Sequence, residues 1–192
     1  MYVSMDKLDR AFARVRAELH EVGLLGDGVY LDQIDLVRVA LPALSTMGYV
    51  YDGLMGWFDR LAGFRERTIY VPIVAPIERR KPGATLSDVI RHEFAHAWAW
   101  LAPGLMRRPW FHRTFGGRYS AAWSGERPEF DARAFVSTYA TTSPAEDFAE
   151  SFMTFLRCRR SLHRFRTRPH LLKKLTAIAT LVRTTASDLR RR

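Results

Sequence analysis

A run of five residues, H-E-F-A-H at positions 92–96, constrains this chain more than any other feature of its sequence. Residues four apart in an α-helix lie about 40° apart around its axis and one turn along it, so both imidazoles can reach the same point. The run has helical signals at both ends, because Thr85 can cap a helix with Asp88 three residues later, and Pro103 would follow its last turn. We predict a helix from 85 to about 101 that carries both histidines on one face.

This spacing is typical of a zinc site. Imidazole is a common zinc ligand, and two of them from one helix leave room for a third protein ligand and a water molecule. His92 and His96 are therefore the predicted zinc ligands, and Glu93, which borders their face, is the predicted general base. The alternative is a pair of surface histidines beside a solvated glutamate.

A second helix offers the third ligand. Ser143 can cap it, Pro144 fits its first turn, and helical spacing of apolar residues continues to about residue 159. Glu146 and Glu150 lie four apart on one face, so the first could bind the ion while the second accepts the free N–H of a ligand histidine. Glu146 could instead complete a capping box with Ser143.

Other residues could serve as the third zinc ligand or assist catalysis. The fallback ligands are Glu129, Asp131 and His112. A histidine six residues after His96 is excluded, because that position is Ala102. Tyr139 stands just before the second helix, where its phenol could donate to the oxyanion of a tetrahedral intermediate, with a packing or surface role as the alternative.

The rest of the chain predicts further helices and some short strands. Amphipathic helices are expected at 4–22, between Ser4 as N-cap and Gly23, and at 170–190. Strand-like runs occupy 34–41, 48–51 and 68–74, and Pro72 in the last run favours a sheet edge. Residues 103–128 are predicted to be irregular and 129–141 to form a short helix.

Together these motifs resemble those of known zinc peptidases. The H-E-x-x-H run, followed by a tyrosine and by S-P-A-E-D-F-A-E at 143–150, resembles gluzincin-type zinc peptidases related to the lethal-factor-like toxins. It is also similar to a bacterial group described as putative zinc-binding metallopeptidases. The resemblance covers about residues 68–156 and implies one role for each matching position: zinc ligands His92, His96 and Glu146, general base Glu93, oxyanion donor Tyr139, and Glu150 as the partner of a ligand histidine.

From the motifs and the resemblance we expect an α+β, zincin-like fold. A small mixed sheet would pack on the H-E-x-x-H helix, and the C-terminal part would be helical. Residues 1–160 would form the catalytic domain, including the N-terminal helix, and residues 161–192 a basic helical segment packed on the same domain. The expected activity is that of a metalloprotease, a zinc-dependent hydrolase that cleaves protein or peptide substrates. The run at 68–74 could pair with an extended substrate.

The net charge of +10 comes from the end of the chain. Residues 151–192 hold 12 Lys and Arg against one acid, Asp188, whereas residues 1–150 are nearly balanced. Such a segment could bind an anionic partner, namely nucleic acid, an acidic protein or an anionic membrane surface, or it could be a solvated helical face. The alternative function is therefore a basic nucleic-acid-binding or regulatory protein with a structural or vestigial zinc site.

Two features bear on location. Cys158 is the only cysteine, so no disulfide can form within this chain. The first residues lack the apolar stretch of a signal peptide, and no window is apolar enough to span a bilayer. We expect a cytoplasmic protein by default, with leaderless export left open and the oligomeric state not indicated.

Overall fold

The computed structural model describes residues 5–26, 35–39, 68–72, 85–121, 123 and 125–190. Within them the α-helices are α1 (Met5–Glu21), α2 (Leu86–Leu101), α3 (Pro103–Met106), α4 (Pro109–Phe115), α5 (Pro144–Cys158) and α6 (Pro169–Arg190). Two 3₁₀ helices occupy Tyr139–Thr141 and Leu162–Phe165. The strands β1 (Asp35–Val39) and β2 (Thr68–Pro72) pair in parallel, with Asp35 opposite Thr68 and Val39 opposite Pro72.

The predicted α+β fold with a small mixed sheet is wrong for the described residues, which are mainly helical. A mixed sheet needs an antiparallel neighbour, whereas β1 and β2 form one parallel pair and no third strand joins them in the described part of the chain. The core is instead built between helices, and Ile69 of β2 contributes one buried side chain to it. The predicted strand at 48–51 lies outside the described residues.

Four of the five predicted helices are present close to their predicted bounds. At the start of α2, Thr85 Oγ1 accepts the Asp88 N–H at 3.2 Å and the Asp88 carboxylate accepts the Thr85 N–H at 3.1 Å, which is a complete capping box. Beyond the end of α1, Gly23 has a φ of 78°, a left-handed conformation that glycine adopts without strain. Ser4, the predicted cap of α1, lies outside the described residues.

Two segments differ from the prediction. Residues 103–128 were expected to be irregular but contain α3 and α4, because Pro103 and Pro109 each occupy the first turn of a new helix, where the missing N–H costs nothing. The helix expected at 129–141 is reduced to turns and the 3₁₀ helix at its end. Ala132, Phe135 and Tyr139 do recur at helical spacing there, so this spacing alone did not determine the structure of the segment.

The core is an aromatic cluster that holds α2 between α1 and α5. Phe94 of α2 stacks on Phe12 of α1 with ring centroids 5.9 Å apart. On the side of α5, Trp98 lies 6.1 Å from Phe148 and 5.4 Å from Phe152. All but Phe12 are fully buried. Since burying one large apolar side chain stabilises a fold by roughly 1.5–3 kcal/mol, these contacts fix α2 on both sides.

An ion-pair cluster fixes the rotation of α2 about its own axis. The buried Arg91 guanidinium donates to both carboxylate oxygens of Glu18 on α1, each at 2.7 Å, and to Asp88 at 2.7 Å. A bidentate guanidinium–carboxylate pair specifies orientation as well as distance. Arg91 therefore holds one side of α2 against α1, which leaves the side carrying the histidines for α5.

Several basic side chains of the C-terminal segment form hydrogen bonds or ion pairs with other residues of the molecule. Lys174 of α6 donates to the buried Asp147 of α5 at 2.6 Å and to the carbonyl of Ala134 at 2.8 Å. Arg168 donates to the carbonyl of Phe135 at 2.8 Å. Further contacts join Arg157 to Asp88, and Arg159 and Arg160 to Glu21.

The division into domains at residue 160 remains a prediction. Among the described helices, none is both long and apolar enough to cross a membrane.

The pair of Asp147 and Lys174 is costly to bury. Burial raises the pKa of Asp147 to about 6, against the opposing attraction of Lys174, and burial also lowers the pKa of Lys174. Such a pair holds α6 against α5 more by defining position than by adding net stability.

We expect Lys174→Met to lower the free energy of unfolding by about 3 kcal/mol at pH 7, because it leaves the Asp147 carboxylate buried without its cation. The matched control is Lys173→Met, which removes an exposed lysine one position earlier on α6 and should change stability by less than about 0.5 kcal/mol. Urea unfolding followed by circular dichroism measures both. Equal midpoints for the two variants would show that the buried pair does not anchor α6.

Candidate metal centre

Three potential ligands meet where α2 faces the first turn of α5. His92 Nε2 lies 3.1 Å from His96 Nε2 and 3.1 Å from Glu146 Oε2, and His96 Nε2 lies 3.5 Å from the same oxygen. Four ligands placed tetrahedrally about 2.05 Å from a zinc ion lie about 3.3 Å from one another. Among the described residues this is the only such group of three. Its spacing therefore fits one zinc ion.

The chemistry of these donors also fits a cation. Glu146 Oε2 is buried and accepts no hydrogen bond from any described residue, although two imidazole nitrogens stand close to it. A buried carboxylate oxygen that receives no well-directed hydrogen bond is costly. A zinc ion accepts lone pairs from imidazole nitrogen and carboxylate oxygen alike, so one ion would satisfy all three atoms.

The surrounding charges favour a positive charge at this point. Burial disfavours the charged form of His92, but the carboxylates of Glu146 and Glu150 outweigh it and raise its pKa to about 10. Burial likewise opposes ionisation of Glu146, yet His92 and His96 hold the pKa of this carboxyl well below its usual range. The positive charge can be a proton on an imidazole or a metal ion that takes the place of that proton.

The outer nitrogen of His92 contacts a carboxylate, as the spacing of the two glutamates predicts. Glu150 Oε1 lies 3.2 Å from His92 Nδ1, and Ser137 Oγ donates to Glu150 Oε2 at 2.5 Å. The N–H of Ala140 in turn donates to Ser137 Oγ at 3.2 Å. With Glu150 accepting the Nδ1 hydrogen, the lone pair of His92 is on Nε2 and points at the metal centre.

His96 is held by a phenol. Its Nδ1 lies 2.7 Å from the Tyr119 hydroxyl, while its Nε2 faces the metal centre. Tyr119 follows a tight turn in which Gly116 ends α4 with a φ of 72°. At Gly117 a Cβ would lie 2.7 Å from the ring of Pro144, the first residue of α5. Only glycine permits this approach, so the turn packs on α5 and brings Tyr119 to His96.

The two remaining predicted residues lie close to the same centre. Glu93 is buried on α2 next to His92, and its negative charge adds to the field that raises the pKa of His92. Tyr139 is in the 3₁₀ helix before α5, with its ring centroid 5.8 Å from that of His92. The Tyr139 side chain is 39% exposed, so it borders the site from the side open to solvent.

Comparison with known proteins agrees with this geometry. A family model described as putative zinc-binding metallo-peptidase matches residues 78–181, more than half of the 192 residues. The chain belongs to this family. The match spans α2 to α5 and the first part of α6, and so includes every residue of the metal centre. No curated protein and no solved structure matches the chain. A gluzincin or lethal-factor-like subgroup within this metallopeptidase family remains a prediction.

The fallback ligands lie apart from the centre. Glu129, Asp131 and His112 are exposed and do not belong to the group of three. Glu146 does take part in capping, but only through its backbone N–H, which Ser143 Oγ accepts at 3.1 Å. Its side chain does not complete the capping box but faces the histidines.

Sequence reasoning missed Tyr119 and Ser137. Tyr119 lies in the segment that was predicted to be irregular, where its position two residues after a pair of glycines was a possible signal. Ser137 precedes Glu150 by 13 residues and has no regular spacing to it or to either histidine. Both act on the histidines through tertiary contacts, which a spacing argument cannot detect.

We expect Glu146→Ala to weaken zinc binding by at least about tenfold, because it removes one of three protein ligands. Glu129→Ala removes an exposed glutamate that was a fallback ligand and should leave zinc affinity unchanged. Competition with a chelating dye measures the dissociation constants. Wild-type affinity in Glu146→Ala would assign the ligand role to another residue.

A second prediction concerns Tyr119. Tyr119→Phe removes the hydroxyl that contacts His96. It should weaken zinc binding by about tenfold, the smallest loss of affinity that is typical when a residue that orients a metal ligand is replaced. Ser120→Ala changes an exposed neighbouring residue and serves as the control. If zinc affinity is the same in both variants, the phenol does not orient His96.

Proposed function

We propose that this protein is a zinc-dependent peptidase in which His92, His96 and Glu146 hold the ion. The observation that carries the proposal is the meeting of two imidazole nitrogens and one buried carboxylate oxygen at separations of 3.1–3.5 Å. Membership of a family described as putative zinc-binding metallo-peptidase supports it, and that description implies protein or peptide substrates.

Zinc, when bound, supplies a Lewis acid that polarises the scissile carbonyl and lowers the pKa of water. Glu93 follows His92 directly on α2, and its carboxylate would take a proton from the attacking water and return it to the leaving amine. A buried carboxylate keeps this proton within the site between the two transfers. Glu93 takes up one proton from water and gives one proton to the amine, so its carboxylate is ionised again at the end of the cycle.

Two further residues would assist. The Tyr139 phenol borders the centre from the solvent side, where a substrate carbonyl would enter, and would donate to the oxyanion as negative charge develops on it. Glu150 would keep His92 in the tautomer whose Nε2 lone pair faces the ion, and Ser137 would hold Glu150 in place.

The nucleic-acid alternative has no comparable support in the described residues. Five basic side chains of the C-terminal segment contact acids or carbonyls of the same molecule, namely Arg157, Arg159, Arg160, Arg168 and Lys174. These contacts give much of the basic segment a structural role.

The test is Glu93→Gln. This variant keeps all three ligands and should bind zinc as the wild type does, yet lose peptide hydrolysis by at least about 10³-fold, because an amide cannot accept the proton. Digestion of a mixed peptide library, with zinc content measured on the same sample, compares it with Glu126→Gln, an exposed control. Undiminished cleavage by Glu93→Gln would overturn the mechanism, and no cleavage by the zinc-loaded wild type would overturn the proposed function.

A further inference from the structure

A large cavity lies beside the metal centre on the side of His96. Its volume is about 1010 Å³, and His96 and Glu146 form part of its wall. A cavity of this size admits more than one residue of a bound ligand. A peptide with its carbonyl at the metal centre has room to extend one of its ends into this cavity.

Two arginines also line the cavity. Arg107, at the end of α3, and Arg118, in the turn before Tyr119, both line the cavity and are exposed. Neither has an acidic partner among the described residues, in contrast to Arg91, Arg159 and Arg160. Of the described residues in the lining, only Glu146 is acidic, and its carboxylate faces the histidines. A divalent cation at the centre would make the cavity more positive still.

The remaining lining suits a side chain with an apolar stem. Trp100 and Met106 line the cavity together with small residues such as Ala99 and Ala145. The first turn of α5 also borders the cavity, and the partial positive charge at a helix N-terminus adds to the same field.

We propose, resting on the proposed function, that this cavity is a specificity subsite for an acidic residue of the substrate next to the scissile bond. Arg107 and Arg118 are its specificity-determining residues, because each guanidinium can donate two parallel hydrogen bonds to a carboxylate. The methylenes of a glutamate side chain would pack against Trp100 and Met106. The same charges disfavour a lysine in this position.

Binding and cleavage are measured separately, so that the two proposals can fail separately. The probe is a set of labelled alanine-rich decapeptides in which a single Glu, Gln or Lys is moved through every position. Fluorescence anisotropy gives the binding of each peptide to zinc-loaded Glu93→Gln protein, and wild-type protein gives its rate of cleavage. At one position we expect Glu to bind about tenfold more tightly than Gln, with Lys the weakest.

Two variants of the same protein identify the groups responsible. In the background of Glu93→Gln, replacing both Arg107→Gln and Arg118→Gln should reduce the ratio of Glu to Gln binding to about one, and Arg113→Gln, an exposed arginine of α4 outside the cavity, should keep the ratio. Equal binding of the Glu and Gln peptides, or a preference that survives the double substitution, would overturn the subsite. Charge-dependent binding without any cleavage by wild-type protein would overturn the peptidase proposal alone.

Discussion

The packing of α2 against α5 is the contact on which the metal centre depends. The two helices supply the three candidate ligands and the carboxylate behind His92, and no single helix could supply them all. A rotation of α2 by one residue, about 100°, would turn both imidazoles away from α5. Two independent contacts oppose that rotation. Arg91 fixes the side facing α1, and Trp98 packs between Phe148 and Phe152 on the side of α5.

The two histidines are oriented by different chemical groups. Glu150, an anion, accepts from His92, and the neutral phenol of Tyr119 contacts His96. A carboxylate that accepts a hydrogen bond from an imidazole raises the basicity of that imidazole more than a phenol does. His92 would therefore donate more electron density to a bound ion than His96 would. The two partners also come from different parts of the chain. Glu150 comes from α5 itself, whereas Tyr119 depends on the glycine turn that packs against Pro144.

Local signals made part of this structure predictable. Thr85 with Asp88, and Ser143 with Pro144, mark helix starts by side-chain chemistry within one turn, and the i, i+4 spacing then places each candidate ligand on its helix face. The contact between His96 and Tyr119 joins residues 23 apart, and that between Arg91 and Glu18 joins residues 73 apart, so neither follows from local pattern. The mixed sheet was wrong because short runs rich in Val and Ile specify an extended backbone but not its partners. The excess of C-terminal charge was read as a surface property, whereas Lys174 is buried against Asp147.

The location of bound zinc is the most direct test of the metal centre. Crystals of the zinc-loaded protein, measured on both sides of the zinc absorption edge, give an anomalous difference peak at the position of the ion. We expect one peak within about 2.0–2.2 Å of His92 Nε2, His96 Nε2 and a Glu146 carboxylate oxygen. A peak elsewhere, for example at Cys158, or a fully loaded crystal in which Glu146 makes no contact with the ion, would contradict the assignment of these three ligands.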